Sequence, residues 1–121
     1  MSDDFLNVAT KEIQEDLDAI KQILKNCKND IDVFNNAKEI QRHIHKIKGL
    51  APMMGQKEVG EIAKITDSLA KHVIANGPLE NSLGTLIESN SVMNDILFGQ
   101  YKGEITEYKK KIRKIFASVL K

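Results

Sequence analysis

The sequence has no tryptophan, two tyrosines and four phenylalanines, which is poor material for a surface that stacks nucleobases. Its single cysteine, Cys27, excludes an intrachain disulfide and suits a reducing compartment, so a cytoplasmic setting is expected. No stretch approaches the roughly 18 uninterrupted apolar residues that mark a membrane-spanning helix. The opening Met1-Ser2-Asp3-Asp4 is acidic and is not the basic region plus apolar run of a secretory signal. An excess of one charge is missing as well. The 18 Lys and Arg face 17 Asp and Glu, which argues against a chain that holds nucleic acid by its whole surface. No G-x-x-x-x-G-K-[ST] or G-x-G-x-x-G loop is present to cradle a nucleotide, and there is no G-x-S-x-G elbow or H-E-x-x-H zinc motif. Chemistry on such a chain draws on a partner.

What remains is an ordinary soluble composition, 41% hydrophobic and 29% charged, in 121 residues, the size of one domain. The apolar residues recur at spacings of three and four. Ile13, Leu17, Ile20, Leu24 and Cys27 form one stripe, and Val33, Ala37, Ile40, Ile44, Ile47, Ala51 and Met54 a second. Val59, Ile62, Leu69 and Val73 give a third, and Leu79, Leu83, Leu86, Met93 and Leu97 a fourth that Asn90 interrupts. Ile105, Tyr108, Ile112, Ile115 and Val119 give a fifth. Breaks fall between them. Asn29, Asp30 and Asp32 suit a helix end and a new cap, as do Gly55, Asn76-Gly77-Pro78, and the pair Gly99 and Gly103. The reading is all-α: helices at about 4–27, 32–53, 56–76, 79–98 and 103–120. The short loops imply an up-and-down four-helix bundle over about 3–98, with an additional C-terminal fifth helix at about 103–120, all in one domain spanning 1–121. Charge is uneven along it. Residues 1–20 carry six acids and one lysine, and residues 101–121 seven bases and two acids, read as two solvated faces that attract each other weakly, with a basic docking surface as the alternative.

One segment carries chemistry: Arg42-His43-Ile44-His45-Lys46-Ile47-Lys48-Gly49. At about 100° per residue His43 and His45 fall on opposite flanks of the apolar stripe, so they do not share a metal. His45 has Lys48 at i+3 and Gly49 at i+4 on its own face. A glycine inside a helix costs about 1 kcal/mol relative to alanine, and a lysine beside an imidazole disfavours its protonated form. Both features suit a histidine that accepts a phosphoryl group: the neutral ring is the nucleophile, Lys48 neutralises the phosphate oxygens, and Gly49 clears the approach. The competing reading is a half-buried histidine beside a helix-packing glycine.

His45-Lys46-Ile47-Lys48-Gly49-Leu50-Ala51, with Gly55 following, resembles the H-x-[IL]-K-G-x-[AS]-x-x-x-G signature of histidine phosphotransfer (HPt) domains. The acidic helix ahead of it resembles the first domain of CheA-type chemotaxis histidine kinases. The resemblance covers about residues 3–98. It implies phosphorylation of His45 at Nε2, with Nδ1 facing a carboxylate on the following helix. By spacing that position is Asp67, where the family usually has Glu, so a looser or water-bridged contact is expected. The resemblance further implies a phosphocarrier rather than an enzyme. A histidine kinase and a response-regulator receiver domain would be the partners, and ATP and Mg2+ would belong to them. Gln41, Lys46 and Lys64 are the candidate partner-binding residues. No cofactor, metal, nucleic acid or membrane partner is expected, and the chain is expected to be a monomer. Pro52 departs from the family pattern and predicts a kink or helix end near Ala51, with Met53 and Met54 filling the bundle end or, as the alternative, forming a recognition surface. His72 is read as solvated and Cys27 as a small buried apolar residue. Two other classes compete. One is a helical adaptor that is never phosphorylated. The other is an RNA-binding bundle that uses Lys109, Lys110, Lys111, Arg113 and Lys114.

Overall fold

The computed structural model describes residues 3–120. Six helices form among them: α1 (Asp3–Lys25), α2 (Asp30–Asn35), α3 (Ala37–Met53), α4 (Lys57–Asn76), α5 (Ser82–Leu97) and α6 (Ile105–Ile115). There is no strand among the described residues. The apolar stripes face one another. Ile13, Leu17 and Ile20 of α1 meet Ile40, Ile44 and Ile47 of α3, Val59, Ile62 and Leu69 of α4, and Leu86 and Met93 of α5 in one core. Each such side chain contributes about 1.5–3 kcal/mol by leaving water. α3 packs between α1 and α4, and α5 closes the ring between α4 and α1. This is the four-helix bundle that the stripes imply.

The expected second helix, 32–53, is two. Asn36 leaves helical geometry (φ −113°, ψ 9°), and its side chain donates from Nδ2 to the carbonyl of Asp32 at 2.9 Å. Such local bonding by Asn competes with the helix ladder. The stripe runs unbroken through the break because Val33 and Ala37 keep the four-residue spacing, and both are buried. The fourth helix starts at Ser82 rather than 79, because Asn81 sits in the left-handed region at φ 73°. The carboxylate of Asp30 supplies the cap that Asn81 does not. It accepts from the backbone of Asn81 at 3.0 Å and of Leu83 at 2.8 Å, and from the Ser82 hydroxyl at 3.2 Å. Asn90, which interrupts the fourth stripe, is buried and donates from Nδ2 to the Leu17 carbonyl at 3.0 Å, tying α5 to α1.

Pro52 lies in the last turn of α3, which ends at Met53, the bound expected for this helix and two residues past Ala51. Its ring rests on α4. A Cβ added at Gly60 would stand 2.9 Å from Pro52 Cγ, so the glycine is what admits the proline. Of the two methionines only Met54 is buried; Met53 is exposed and fills no space. Cys27 is buried as expected, and its thiol is pushed up in pKa by burial, with Asp32 adding to the effect.

α6 is shorter than its stripe and ends at Ile115. Tyr108, Ile112 and Phe116 are buried, and the Tyr108 hydroxyl lies 2.8 Å from Ser89 Oγ. Its lysines pair with Glu61 of α4 (Lys109, 3.4 Å) and Glu88 of α5 (Lys111, 2.9 Å). The basic C-terminal helix therefore sits against α4 and α5.

Candidate functional site

α3 and α4 are antiparallel neighbours, and the register that sets Pro52 on Gly60 also sets His45 opposite Asp67. The core stripe Ile40, Ile44 and Ile47 places His45 on the α4 flank of α3 and His43 on the α1 flank. The two rings face different helices. His43 donates from Nδ1 to Asp16 Oδ1 at 2.8 Å, and its side chain is only 13% exposed. The His45 side chain is 59% exposed, with Nδ1 3.8 Å from Asp67 Oδ1, too far for a direct hydrogen bond. The shorter aspartate leaves the loose contact that its length implies.

Asp67 is only 2% exposed. Its Oδ1 accepts from Gln41 Nε2 at 2.8 Å, and its Oδ2 accepts from Lys48 Nζ at 3.0 Å and Lys71 Nζ at 3.1 Å. Burial pushes the carboxyl pKa up. The bonds from Gln41, Lys48 and Lys71 outweigh it, and the group stays below its ordinary value. The site at neutral pH therefore sets the ring beside one buried carboxylate and two ammonium groups. That surplus of positive charge suits a doubly charged phosphoryl group.

Of the residues singled out in the sequence, His45, Lys48, Gln41 and Asp67 come together here. Gly49 is exposed on the same turn, and a Cβ there would meet nothing within 4 Å, so no packing contact inside the bundle requires the glycine. Gln41 turns to Asp67 rather than outward. Lys46 turns to the other flank, with Nζ 2.9 Å from Asp16 Oδ1, beside His43. Lys64 lines a groove with Glu61, Ser68, Lys109 and Arg113 between α4 and the end of the chain. His72 is half-buried, with Nδ1 3.2 Å from Asn76 Nδ2. Sequence reasoning missed Lys71. The signal was there: Asp67 and Lys71 stand at i and i+4 on a helix, the spacing of a supporting ion pair. It also missed Asp16 as the partner of His43, which no spacing within one helix reveals.

No group of three or more His, Cys, Asp or Glu among the described residues is placed to hold a metal ion, and none of the described helices is long and apolar enough to cross a membrane. No curated protein and no solved structure matches the chain. A family model does. The Hpt domain matches residues 4–91, which take in α1 to α4, most of α5, and every residue of the His45–Asp67 cluster. The chain belongs to the Hpt domain family, the histidine phosphocarriers of phosphorelay signalling.

Proposed function

We propose that His45 is the phosphorylated residue. Its Nε2 lone pair attacks the phosphorus of a phosphoryl group on a histidine kinase or a receiver. The N–P bond forms as the bond to the donor breaks. A receiver aspartate oxygen later attacks the same phosphorus, and the N–P bond breaks to return the free ring. The observation that carries this is the pairing of a largely exposed ring with a buried carboxylate at its Nδ1 side, 3.8 Å away, which leaves Nε2 for the partner. A carboxylate on the following helix is also what the chemotaxis branch of the family implies. Lys48 and Lys71 supply positive charge at the site, and Gly49 leaves the turn after His45 open.

Nothing in this role calls for a nucleotide or Mg2+ on the chain itself: in-line transfer needs positioning and charge, and the kinase and the receiver bring the rest. The chain acts as a cytoplasmic monomer that visits each partner in turn, with Lys64 on α4 as a candidate partner contact, whereas Lys46 is turned to Asp16 on the other flank of α3. The test is to incubate the protein with a phosphorylated receiver domain, or with a histidine kinase and ATP. Acid-labile, base-stable label is expected on His45 and lost in His45→Gln, with the helical fold kept. Label on His43 or His72, or an unlabelled protein under both conditions, would refute the reading; the second result would leave a docking adaptor.

A further inference from the structure

Asp67 has three donors on two oxygens. An ionised carboxylate offers about four acceptor positions, two on each oxygen. Lys48 and Lys71 fill both on Oδ2, and Gln41 fills one on Oδ1. One position remains, on the oxygen nearest Nδ1 of His45. Gln41 and His45 thus share a single oxygen. The amide holds it at 2.8 Å, and the ring stands off at 3.8 Å. Gln41 is one helical turn before His45, on the same flank of α3.

We propose that Gln41 is a positioning residue that sets how tightly Asp67 holds His45, by satisfying the oxygen nearest the ring so that it needs no bond from Nδ1–H. The argument is one of satisfaction. Without Gln41, Oδ1 is a buried acceptor with no partner, and that condition is costly. A donor stands 3.8 Å from that oxygen in Nδ1 of His45, on a ring whose side chain is largely exposed. The ring then gains a direct bond to a carboxylate. That bond favours the tautomer with hydrogen on Nδ1 and the lone pair on Nε2, and it favours the imidazolium over the neutral ring. The charged groups at the ring are Lys48 on its own helix and Asp67 and Lys71 on α4. The lysines stay on Oδ2 in this rearrangement, so the change at the ring comes through Oδ1 alone. Gln41 thereby keeps the imidazole loosely held and more readily neutral. Its functional meaning rests on His45 being the phosphoacceptor, but its physical content does not.

The experiment is an NMR titration of the histidine rings in the unphosphorylated full chain, comparing the wild type with Gln41→Met, which keeps the length and loses the donor. Gln41→Ala is the second variant. In both, the His45 midpoint is expected to rise by about half a pH unit or more, and the neutral ring to shift toward the Nδ1–H tautomer, while His43 and His72 stay put. In an Asp67→Asn background the same substitutions are expected to leave His45 unmoved. A His45 midpoint and tautomer unchanged in both variants, a downward shift, or a shift that persists with Asp67→Asn would each overturn the proposal. Because the readout needs no phosphoryl donor, a failure of phosphorylation at His45 would leave this result standing. An unmoved titration in a protein that still labels would remove only the role of Gln41.

Discussion

Asp67 is a buried carboxylate that stays ionised because three donors surround it, and its lowered pKa fixes the sign of its pH dependence. A group whose folded pKa lies below its unfolded value stabilises the fold fully above that unfolded value, here 3.8. The contribution is lost as pH falls through the lower folded value. Asp67→Asn is therefore expected to cost about 1–2 kcal/mol at pH 7, because an amide returns only part of the charge-assisted bonding. The gap to the wild type should narrow below pH 3.8; urea unfolding at pH 7 and near pH 3 checks both halves. A gap that widens in acid would show that Asp67 is not the titrating group. Gly49 gives a second test at this scale. With nothing within 4 Å of an added Cβ, Gly49→Leu should keep or raise stability by removing a helix-interior glycine. It should slow transfer to a receiver, because the new side chain stands one turn, about 5.4 Å, from His45 on the approach side. Wild-type transfer kinetics in this variant would show that partners do not approach over Gly49.

At the scale of the helix, Pro52 and Gly60 decide how α3 meets α4. The glycine lets the proline ring sit where a Cβ would come to 2.9 Å, and this same pair of helices carries His45 and Asp67. Gly60→Ala gains helix propensity but pushes against a ring with little freedom to move. A net loss of about 1–2 kcal/mol is expected. Pro52→Ala in the same chain should recover it, and thermal unfolding of the four members of the cycle reads that coupling. Additive effects would mean that the ring yields without cost. Asp30 acts at the other end of the bundle. It starts α2 and caps α5 across more than fifty residues of chain. Asp30→Ala should destabilise by about 1–2 kcal/mol and fray the start of α5 first, read as faster amide exchange at 82–85. Neither device was legible beforehand. Local sequence assigned Asn29, Asp30 and Asp32 to the junction of the first two helices, where Asn29 does cap α2, but it could not show that Asp30 also serves the start of α5. Pro52 marks the end of its own helix in the sequence, but its contact with Gly60 does not show there because Gly60 lies on another helix. The stripes were legible because burial at three- and four-residue spacing is written in one helix at a time. The break at Asn36 was not, since it leaves that spacing intact.

For the molecule as a whole, the signature around His45 and the spacing to Asp67 were enough to bring the two together, because both lie on long regular helices whose register the core dictates. The charge pattern did not say where α6 would lie. Among the described residues no ion pair joins the acids of residues 1–20 to the bases of residues 101–121. α6 docks by Tyr108, Ile112 and Phe116, and its ion pairs form with the acids that happen to flank that seat. Exposed pairs of this kind contribute little, so apolar burial decides the placement. α6 also lies outside the residues matched to the Hpt family, and none of its residues bonds to His45, Gln41, Lys48, Asp67 or Lys71. The structure thus separates support from site. Ile112 is fully buried, and Ile112→Ala should cost about 2–4 kcal/mol and lower the melting temperature by roughly 10 °C or more. Phosphoryl acceptance at His45, measured well below the new transition, should be unchanged. If acceptance falls in step with stability while the circular dichroism of the bundle is intact, α6 is coupled to the α3–α4 face, and the basic helix belongs to the signalling surface rather than to its scaffold.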